Sequence, residues 1–270
     1  MQKYTKFVRY EFYEQELMSK ISNQSSQTDD QQTSWFASWF DTPYYHILYK
    51  DRNYREAQIF MDNLTHYLNL PEHSKVLDLA CGKGRHSIYL NQLGYTVLGV
   101  DLSENSIEIA NKNSNDSLKF KVHDMREPLE DKFDAVFNLF TSFGYFEQED
   151  DNLKTLIAIK ENLSEYGFAV IDFMNVPFVL DNLVAEEIKS VDGIDFNLKR
   201  YLLDGYIIKE INFKDKGQEF HFTEKVRALI LDDFKQMMEQ AGIYLLDTFG
   251  DYKLKKYHKK DSERLIMIFK

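Results

Sequence analysis

The feature that most constrains the fold is an apolar run that leads into a glycine turn, Val76–Gly84, with the sequence VLDLACGKG. A short apolar run of this kind is typical of a strand buried on both faces of a parallel sheet. Gly82 and Gly84 adopt positive φ without steric cost and let a ligand approach the backbone. The next apolar run ends at Asp101. Ligands of open parallel sheets bind beyond the carboxyl ends of the strands, so the turn and Asp101 are predicted to share a site.

Strand-like and helical runs alternate between residues 54 and 173, which favours a doubly wound α/β sheet. Strands are predicted over 75–79, 96–100, 118–123, 133–139 and 168–173, and helices over 54–68, 85–93, 104–113 and 150–163. A helix over 231–241 and two last strands, over 244–249 and 264–269, are expected to close the sheet. The basic run 253–260 is interpreted as a solvated loop between these strands.

The alternation breaks between residues 188 and 226. Three dipeptides that end in glycine separate four strand-like runs there: Asp192-Gly193, Asp204-Gly205 and Lys216-Gly217. Such dipeptides favour tight hairpins, so residues 178–226 are predicted to form an inserted antiparallel meander. The meander would either cap the ligand site and contribute homodimer contacts, or simply extend the main sheet. The sequence leaves both roles open.

The chain before the first strand divides into two parts. Residues 1–34 are predicted to be an amino-terminal extension that ends in a polar linker, SNQSSQTDDQQTS. Residues 35–270 form the main domain. Its first segment carries Tyr44, Tyr45, Tyr49 and Arg52, and precedes the first strand where a lid over the site would be expected.

Composition and charge disfavour or exclude several classes of protein. The 270 residues include 33 Lys or Arg and 44 Asp or Glu, and the formal net charge of −11 disfavours nucleic acid as a partner. The single cysteine, Cys81, excludes a disulfide within the chain and an iron–sulfur cluster held by several cysteines. The sequence lacks an apolar run of about 18 residues and a signal-peptide pattern, so we expect a cytoplasmic protein without membrane association.

A strand, a glycine turn and a later acid also fit a nicotinamide-dependent oxidoreductase. The run Gly82-Lys-Gly84-Arg-His-Ser87 meets the dinucleotide fingerprint only in part, since serine replaces its third glycine. Asp78 places a negative charge where a pyrophosphate would lie, whereas the same charge suits a cationic amino acid group. These residues therefore favour a cofactor with an amino acid moiety over a dinucleotide.

At these residues the chain resembles the class I S-adenosylmethionine-dependent methyltransferases, especially the bacterial small-molecule type. The resemblance is carried by Asp78-Leu-Ala-Cys-Gly-Lys-Gly84 and Asp101, and it extends from about Lys75 to Asn175. It implies a Rossmann-like α/β sheet of seven strands whose last strand is antiparallel, with an amino-terminal helical lid. It also implies S-adenosylmethionine as the cofactor and residues 35–270 as the methyltransferase domain.

The resemblance assigns cofactor-binding residues position by position. Asp78 is expected near the ammonium group, Asp101 at the ribose hydroxyls and Asp124 at the adenine amine. Leu102 would pack on the adenine, and Asn138 would lie near the methyl donor. The full expected set is Asp78, Ala80, Cys81, Gly82, Gly84, Arg85, Asp101, Leu102, Asp124, Met125 and Asn138.

The segment after the fourth predicted strand bears on the methyl acceptor. Residues 138–145, NLFTSFGY, lack the Asn/Asp-Pro-Pro-Tyr/Phe motif of enzymes that methylate planar amide or base amines. This favours a small-molecule acceptor, methylated at oxygen or nitrogen. The aromatic residues of the segment would line its pocket or only pack in the core. The expected acceptor residues are Tyr45, Tyr49, Arg52, Phe143, Tyr145 and Asn175.

No catalytic base and no metal ligands are assigned from the sequence. Arg85 would either approach the cofactor carboxylate or face solvent, and His86 would act as a base or merely pack. Two other functions therefore stay open beside the methyltransferase: an NAD(P)-dependent oxidoreductase, and a cofactor-binding protein without turnover.

Overall fold

The computed structural model describes residues 39–50, 54–146 and 148–270. The predicted extension over 1–34 and the acceptor candidate Arg52 lie outside these ranges. Helices of the described part are α1 (Pro43–Leu48), α2 (Tyr54–Leu68), α3 (Arg85–Gln92), α4 (Glu104–Asn111), α5 (Glu149–Asn162), α6 (Val176–Asp181) and α7 (Leu231–Ala241).

Two groups of strands follow the predicted division of the chain. The first group contains β1 (Lys75–Leu79), β2 (Thr96–Asp101), β3 (Leu118–Val122), β4 (Phe133–Asn138), β5 (Leu163–Met174), β10 (Leu245–Phe249) and β11 (Arg264–Phe269). The second contains β6 (Glu186–Val191), β7 (Ile194–Leu203), β8 (Tyr206–Asp215) and β9 (Gln218–Arg227).

The first group forms one sheet of 7 strands in the order β10-β11-β5-β4-β1-β2-β3. Strands β1 to β5 pair in parallel, and β11 pairs antiparallel with both β5 and β10. The predicted sheet with an antiparallel last strand is therefore confirmed. Its central strands are apolar and bury both faces, as the side chains of Val76, Leu77, Ala135 and Val136 show.

The direction of strand order reverses at β1, whose neighbours are β4 on one side and β2 on the other. The register pairs Leu79 with both Val100 and Asn138, so three strands reach their carboxyl ends together. Such a switch point leaves a crevice between the loops that follow the strands, and the ligand site is expected there.

The inserted meander is a separate sheet of 4 antiparallel strands, β6-β7-β8-β9, rather than an extension of the main sheet. Both residues of each connecting dipeptide have positive φ, for example Asp204 at 50° and Gly205 at 76°, as a type I′ hairpin requires. One face of this sheet packs on the segment around α1, and the shared core includes Trp39, Leu48 and Phe213.

The sequence did not predict helix α6, and it gave no bounds for α1, which lies in the segment expected to form an amino-terminal helical lid. Both have 6 residues and a proline in the first turn. A helix this short spans less than two turns, so it leaves no periodic pattern to detect. Along the part of the chain that the structure describes, none of the helices is long and apolar enough to cross a membrane.

Candidate active site

The turn after β1 combines tight backbone geometry with open space. Ala80, Gly82 and Gly84 have φ of 57°, 56° and 81°, and the Cys81 amide donates to the Val100 carbonyl at 2.9 Å. A Cβ added at Gly82 would meet no atom within 4 Å. A Cβ at Gly84 would lie 2.6 Å from the Phe120 ring, so this glycine serves the packing of α3 against β3 rather than a ligand. The open side of the turn is therefore at Gly82.

Asp101 closes the same turn from the end of β2. Its Oδ2 accepts a hydrogen bond from the Gly82 amide at 2.8 Å, and its Oδ1 accepts one from the Ser103 amide at 2.9 Å. Burial raises the pKa of Asp101, and these two bonds oppose the rise. Each carboxylate oxygen has a second lone-pair site, so Asp101 can still accept hydrogen bonds from a ligand diol.

Asp78 lies at the end of β1 with its side chain buried. The Ser87 hydroxyl donates to its Oδ2 at 2.6 Å. Burial raises the pKa of Asp78 to about 7, with a further contribution from the charge of Asp101, although the Ser87 bond works against the rise. A buried carboxylate of this kind is stabilised when a cationic group binds beside it. Burial also raises the pKa of the Cys81 thiol, which therefore is not an activated nucleophile.

Asp124 follows β3 and is held by Arg126. The Arg126 Nε lies 3.0 Å from both carboxylate oxygens, and the same guanidinium bonds Asp151 at 2.7 Å. Burial opposes ionisation of Asp124, but the bonds from Arg126 outweigh it and keep the pKa of this carboxyl below its ordinary value. Asp124 is thus a fixed, charged acceptor at the rim of the crevice.

These residues surround a cavity of about 390 Å³ beyond the carboxyl ends of the strands. Its size lies within the range of about 300–1,000 Å³ that is usual for ligand pockets. The lining includes these residues of the expected cofactor set: Asp78, Ala80, Cys81, Gly82, Arg85, Asp101, Leu102, Asp124 and Met125.

Two residues of the expected cofactor set lie behind the lining instead. Gly84 packs against the Phe120 ring, as described above. Asn138 is fully buried, and its Nδ2 donates to the Leu79 carbonyl at 3.3 Å and to the Met125 sulfur at 3.6 Å. Asn138 therefore supports Met125 and the end of β1. Its Oδ1 has no hydrogen-bond partner among the described residues.

Tyr45, Tyr49 and Tyr145 of the expected acceptor set line the cavity. The Tyr49 hydroxyl donates to Glu224 at 2.7 Å and receives a bond from Lys209, so the inserted sheet fixes this ring. Tyr145 reaches the segment before α1 through an edge contact with Phe40, with ring centroids 5.6 Å apart. The segment around α1 thus lines one end of the cavity, and the inserted sheet supports this segment from behind.

Phe143 and Asn175 are not brought to the cavity. Phe143 is fully buried in the core and packs on Phe234 of α7, with ring centroids 5.4 Å apart, because the left-handed Gly144 turns the chain inward there. Asn175 is also fully buried, and its amide donates to the carbonyls of Lys259 and Ser262 at 2.9 and 2.7 Å. Both side chains are held in the interior by these contacts, so the structure does not support their expected contact with the acceptor.

The structure adds these lining residues to the two expected sets: Phe40, His46, Lys50, Tyr54, Lys83, His86, Ser103, Ser106, His123, Arg126, Leu139, Phe140, Thr141, Ser142 and Phe146. Phe140 and Phe146 belong to the aromatic cluster after β4 that the sequence left open between pocket lining and core packing, and His86 was left open as a base. Lys83, Ser103 and Arg126 are sequence neighbours of expected cofactor residues, so their position in the sequence alone could have identified them. The most consequential addition is Phe140, whose ring lies 4.8 Å from the Arg85 guanidinium. Its orientation depends on long-range contacts, which leave no trace in the local sequence.

The residues present fit S-adenosylmethionine. Gly82 leaves a space that any side chain would fill, and Asp101 presents a carboxylate for two hydroxyls. Asp78 provides a buried site that a cation stabilises, and Asp124 keeps acceptor capacity beside Arg126. The arrangement suits an adenosine linked to a cationic amino acid better than it suits a pyrophosphate.

Comparison with known proteins agrees with the fold and with the cofactor that the site fits. A methyltransferase-domain family model matches residues 76–167. The glycine/sarcosine N-methyltransferase of Aphanothece halophytica is 30% identical over 215 residues, which cover 74% of this chain and 78% of that enzyme. A Streptomyces venezuelae dTDP-3-amino-3,4,6-trideoxy-alpha-D-glucopyranose N,N-dimethyltransferase is 30% identical over 66% of this chain and 70% of its own length.

Solved structures show the same fold. An S-adenosylmethionine-dependent methyltransferase from Clostridium acetobutylicum superposes with a TM-score of 0.72 at 23% identity, over 84% of this chain and 95% of that one.

The chain therefore belongs to the class I S-adenosylmethionine-dependent methyltransferases, as an enzyme that uses S-adenosylmethionine. Family membership decides between the functions that the sequence left open, in favour of methyl transfer and against a nicotinamide oxidoreductase or a protein without turnover.

Proposed function

We propose that this enzyme methylates the nitrogen of a small amine. The proposal rests on the observation that the cavity has two halves with different linings. The cofactor half is lined by residues at and just after the carboxyl ends of β1, β2 and β3. The acceptor half is lined by residues before β1 and after β4: Phe40, Tyr45, His46, Tyr49, Lys50, Tyr54, Leu139, Phe140, Thr141, Ser142, Tyr145 and Phe146. Among the described lining residues, the acidic side chains Asp78, Asp101 and Asp124 all belong to the cofactor half, whereas the acceptor half is mainly aromatic and contains Lys50, which pairs with Asp192.

An aromatic wall suits a nitrogen that becomes more cationic as it is methylated. The faces of aromatic rings attract ammonium groups and quaternary ammonium groups, with free energies of about 0.5–2 kcal/mol per ring. Tyr45, Tyr49, Phe140 and Tyr145 line the acceptor half. A neutral amine needs only to be delivered unprotonated, so an acceptor half whose described lining residues include no carboxylate is sufficient for it.

The bound cofactor supplies an electrophilic methyl group on a sulfonium. The protein residues bind, align and exclude water. Asp101 would hold the ribose hydroxyls, and Asp78 and the open turn at Gly82 would hold the cationic amino acid end. Tyr49, anchored by Glu224, and Tyr145 would line the acceptor half. Alignment of this kind converts an encounter of two molecules into a step within one complex.

The similar enzymes support nitrogen over oxygen as the acceptor atom. The two relatives described above are named for N-methylation of glycine or sarcosine and of an amino sugar. The alignments extend over 215 and 180 residues, well beyond the length of the cofactor turn. We take the amine from this relationship and the small size of the acceptor from the enclosed aromatic half.

The net charge of −11 opposes a phosphate-rich partner, so we infer a small-molecule acceptor rather than nucleic acid. We also infer that the enzyme works in the cytoplasm. Homodimer formation through the inserted sheet stays a prediction.

An acceptor panel tests the proposal. Formation of S-adenosylhomocysteine would be measured with glycine, sarcosine, a dTDP-amino sugar, a phenol and a carboxylate as acceptors. We expect turnover with at least one amine, and loss of that turnover in the Asp101→Ala variant. Turnover of the phenol or the carboxylate alone would show that the acceptor atom is oxygen and overturn the proposal.

A further inference from the structure

The chain leaves β4 through two consecutive residues in the left-handed region. Phe140 and Thr141 have φ of 65° and 60°, and neither is glycine. This conformation costs on the order of 1–2 kcal/mol for each L-residue and persists only where the surroundings hold it. Both residues line the cavity. Because this turn is strained, other groups must hold it in its left-handed conformation.

Asp172 of β5 holds both amides of this turn. Its Oδ2 accepts the Phe140 amide at 2.9 Å, and its main-chain carbonyl accepts the Thr141 amide at 2.9 Å. Asp172 is completely buried. One residue therefore satisfies two amides that face away from the β-ladder once β4 has ended.

Arg264 of β11 completes the arrangement from the other side. Its Nε donates to Asp172 Oδ1 at 2.8 Å, and its Nη2 donates to the Thr141 hydroxyl at 3.0 Å. The Tyr252 hydroxyl donates a third side-chain bond to Asp172 at 3.2 Å. The planar guanidinium spans Asp172 and Thr141 at once, which an ammonium group does not do.

The turn sets the orientation of the Phe140 ring. This ring lies 4.8 Å from the Arg85 guanidinium and is nearly parallel to Tyr252, with centroids 6.3 Å apart and an interplanar angle of 23°. It therefore stands between the first turn of α3 and the loop before β11. A change in the φ of Phe140 or Thr141 would move the ring along the acceptor half.

We propose that Asp172 and Arg264 are positioning residues for the methyl acceptor. They hold the 140–141 turn in its left-handed conformation and thereby fix the Phe140 ring against which the acceptor is aligned. The inference rests on the proposed function, because it places the acceptor in the aromatic half. The cofactor half does not depend on it.

A purely structural role for the ion pair would be to tie β5 to β11. The two roles differ in what the Thr141→Gly substitution does. Glycine adopts positive φ without strain, so the turn of this variant needs less support from Asp172. If Asp172 acts through the turn, Thr141→Gly reduces the penalty of Asp172→Asn; if it acts on the strands alone, the penalty is unchanged.

The experiment compares kcat and KM in a double-mutant cycle of Asp172→Asn and Thr141→Gly, with whichever amine of the acceptor panel the unaltered enzyme methylates. We expect Asp172→Asn to lower kcat/KM for that amine by about 30-fold or more, since misalignment of reactants is costly. Affinity for S-adenosylhomocysteine should stay within about twofold, and Thr141→Gly should reduce the penalty by about fivefold or more.

Asn162→Ala is the matched control. Its buried side-chain amide hydrogen-bonds the main chain of residues 129 and 131, at the amino-terminal ends of the parallel strands and opposite the cavity. If this control lowers kcat/KM as much as Asp172→Asn, or if Thr141→Gly leaves the penalty unchanged, the inference is overturned. If Asp172→Asn does not fold, Arg264→Lys replaces it in a crystal structure with S-adenosylhomocysteine, because it keeps the charge and loses the bridge to Thr141; unchanged φ at residues 140 and 141 in that variant would overturn the inference.

Failure of the proposed function has a different signature. It appears as no amine turnover in the unaltered enzyme. A crystal structure of Asp172→Asn with S-adenosylhomocysteine then tests the turn without any acceptor. Unchanged φ at residues 140 and 141 in that structure would overturn the inference by itself.

Discussion

The two halves of the cavity are built in different ways. In the cofactor half, the bonds that fix the functional groups join residues close in sequence, as between Gly82 and Asp101 or Asp78 and Ser87. In the acceptor half they join distant segments, as between Tyr49 and Glu224 or Thr141 and Arg264. The cofactor half of this chain is thus a compact motif, whereas its acceptor half depends on contacts between distant segments.

The largest expected effect is in the cofactor half. Asp101→Ala should weaken binding of S-adenosylhomocysteine by about 100-fold, because the ribose hydroxyls and the Gly82 and Ser103 amides all lose a charged acceptor. Isothermal calorimetry measures it. Asp134→Ala is the control. Asp134 also accepts a hydrogen bond from a main-chain amide, that of Lys75, but at the amino-terminal ends of the strands, away from the cavity. Equal affinities of the two variants would contradict the assignment of Asp101.

A smaller effect is expected in the acceptor half. Glu224 accepts bonds from Trp39 at 2.8 Å and Tyr49 at 2.7 Å, so Glu224→Gln should loosen the aromatic lid. We expect kcat/KM for the amine to fall by about tenfold, with cofactor affinity unchanged. Glu210→Gln is the control, because Glu210 accepts a similar bond from Tyr201 in the same sheet. A loss of cofactor affinity in Glu224→Gln would break the division into halves.

A change of pH should alter the protonation of Asp78, with an effect comparable to or smaller than that of Glu224→Gln. The pKa of Asp78 is about 7 when folded and lower when unfolded, so the folded protein binds the extra proton between about pH 4 and 7. The unliganded enzyme should therefore lose stability as pH rises through this window.

Binding of the cofactor should show the opposite dependence. The ammonium group favours the Asp78 carboxylate, so affinity should rise by about five- to tenfold between pH 6 and 8. Calorimetry across that range measures it, with Asp78→Asn as a control that should remove most of the dependence. A flat profile in the unaltered enzyme would show that Asp78 does not face the cation.

The smallest effect on catalysis is expected from a core residue. Phe143→Leu should destabilise the fold by about 1–2 kcal/mol, because it leaves a cavity beside Phe234. KM for the amine should stay within about twofold, since the Phe143 side chain does not line the cavity. Chemical denaturation and steady-state kinetics check the two parts. A large rise in KM without loss of stability would return Phe143 to the acceptor site.

Much of the fold was predictable from the sequence. The strand–helix alternation, the glycine turn and the hairpin dipeptides depend on local periodicity and on backbone preference, and both are written in neighbouring residues. The same holds for Asp78, Asp101 and Asp124, each of which lies at or just after the end of a recognisable strand. The bounds of α1, the helix α6 and the inward turn of Phe143 were missed because packing, rather than local preference, determines them.

The sequence by itself determined the main sheet, the glycine turn and the class of cofactor, because these depend on short-range spacing at strand ends. Only the tertiary structure decided which aromatic residues line the cavity and what holds Phe140 and Thr141 in a left-handed turn. The physical reason is that buried bonds from Asp172 and Arg264 outweigh the local cost of that conformation. Partners so far apart in sequence become neighbours only when β5 and β11 pair.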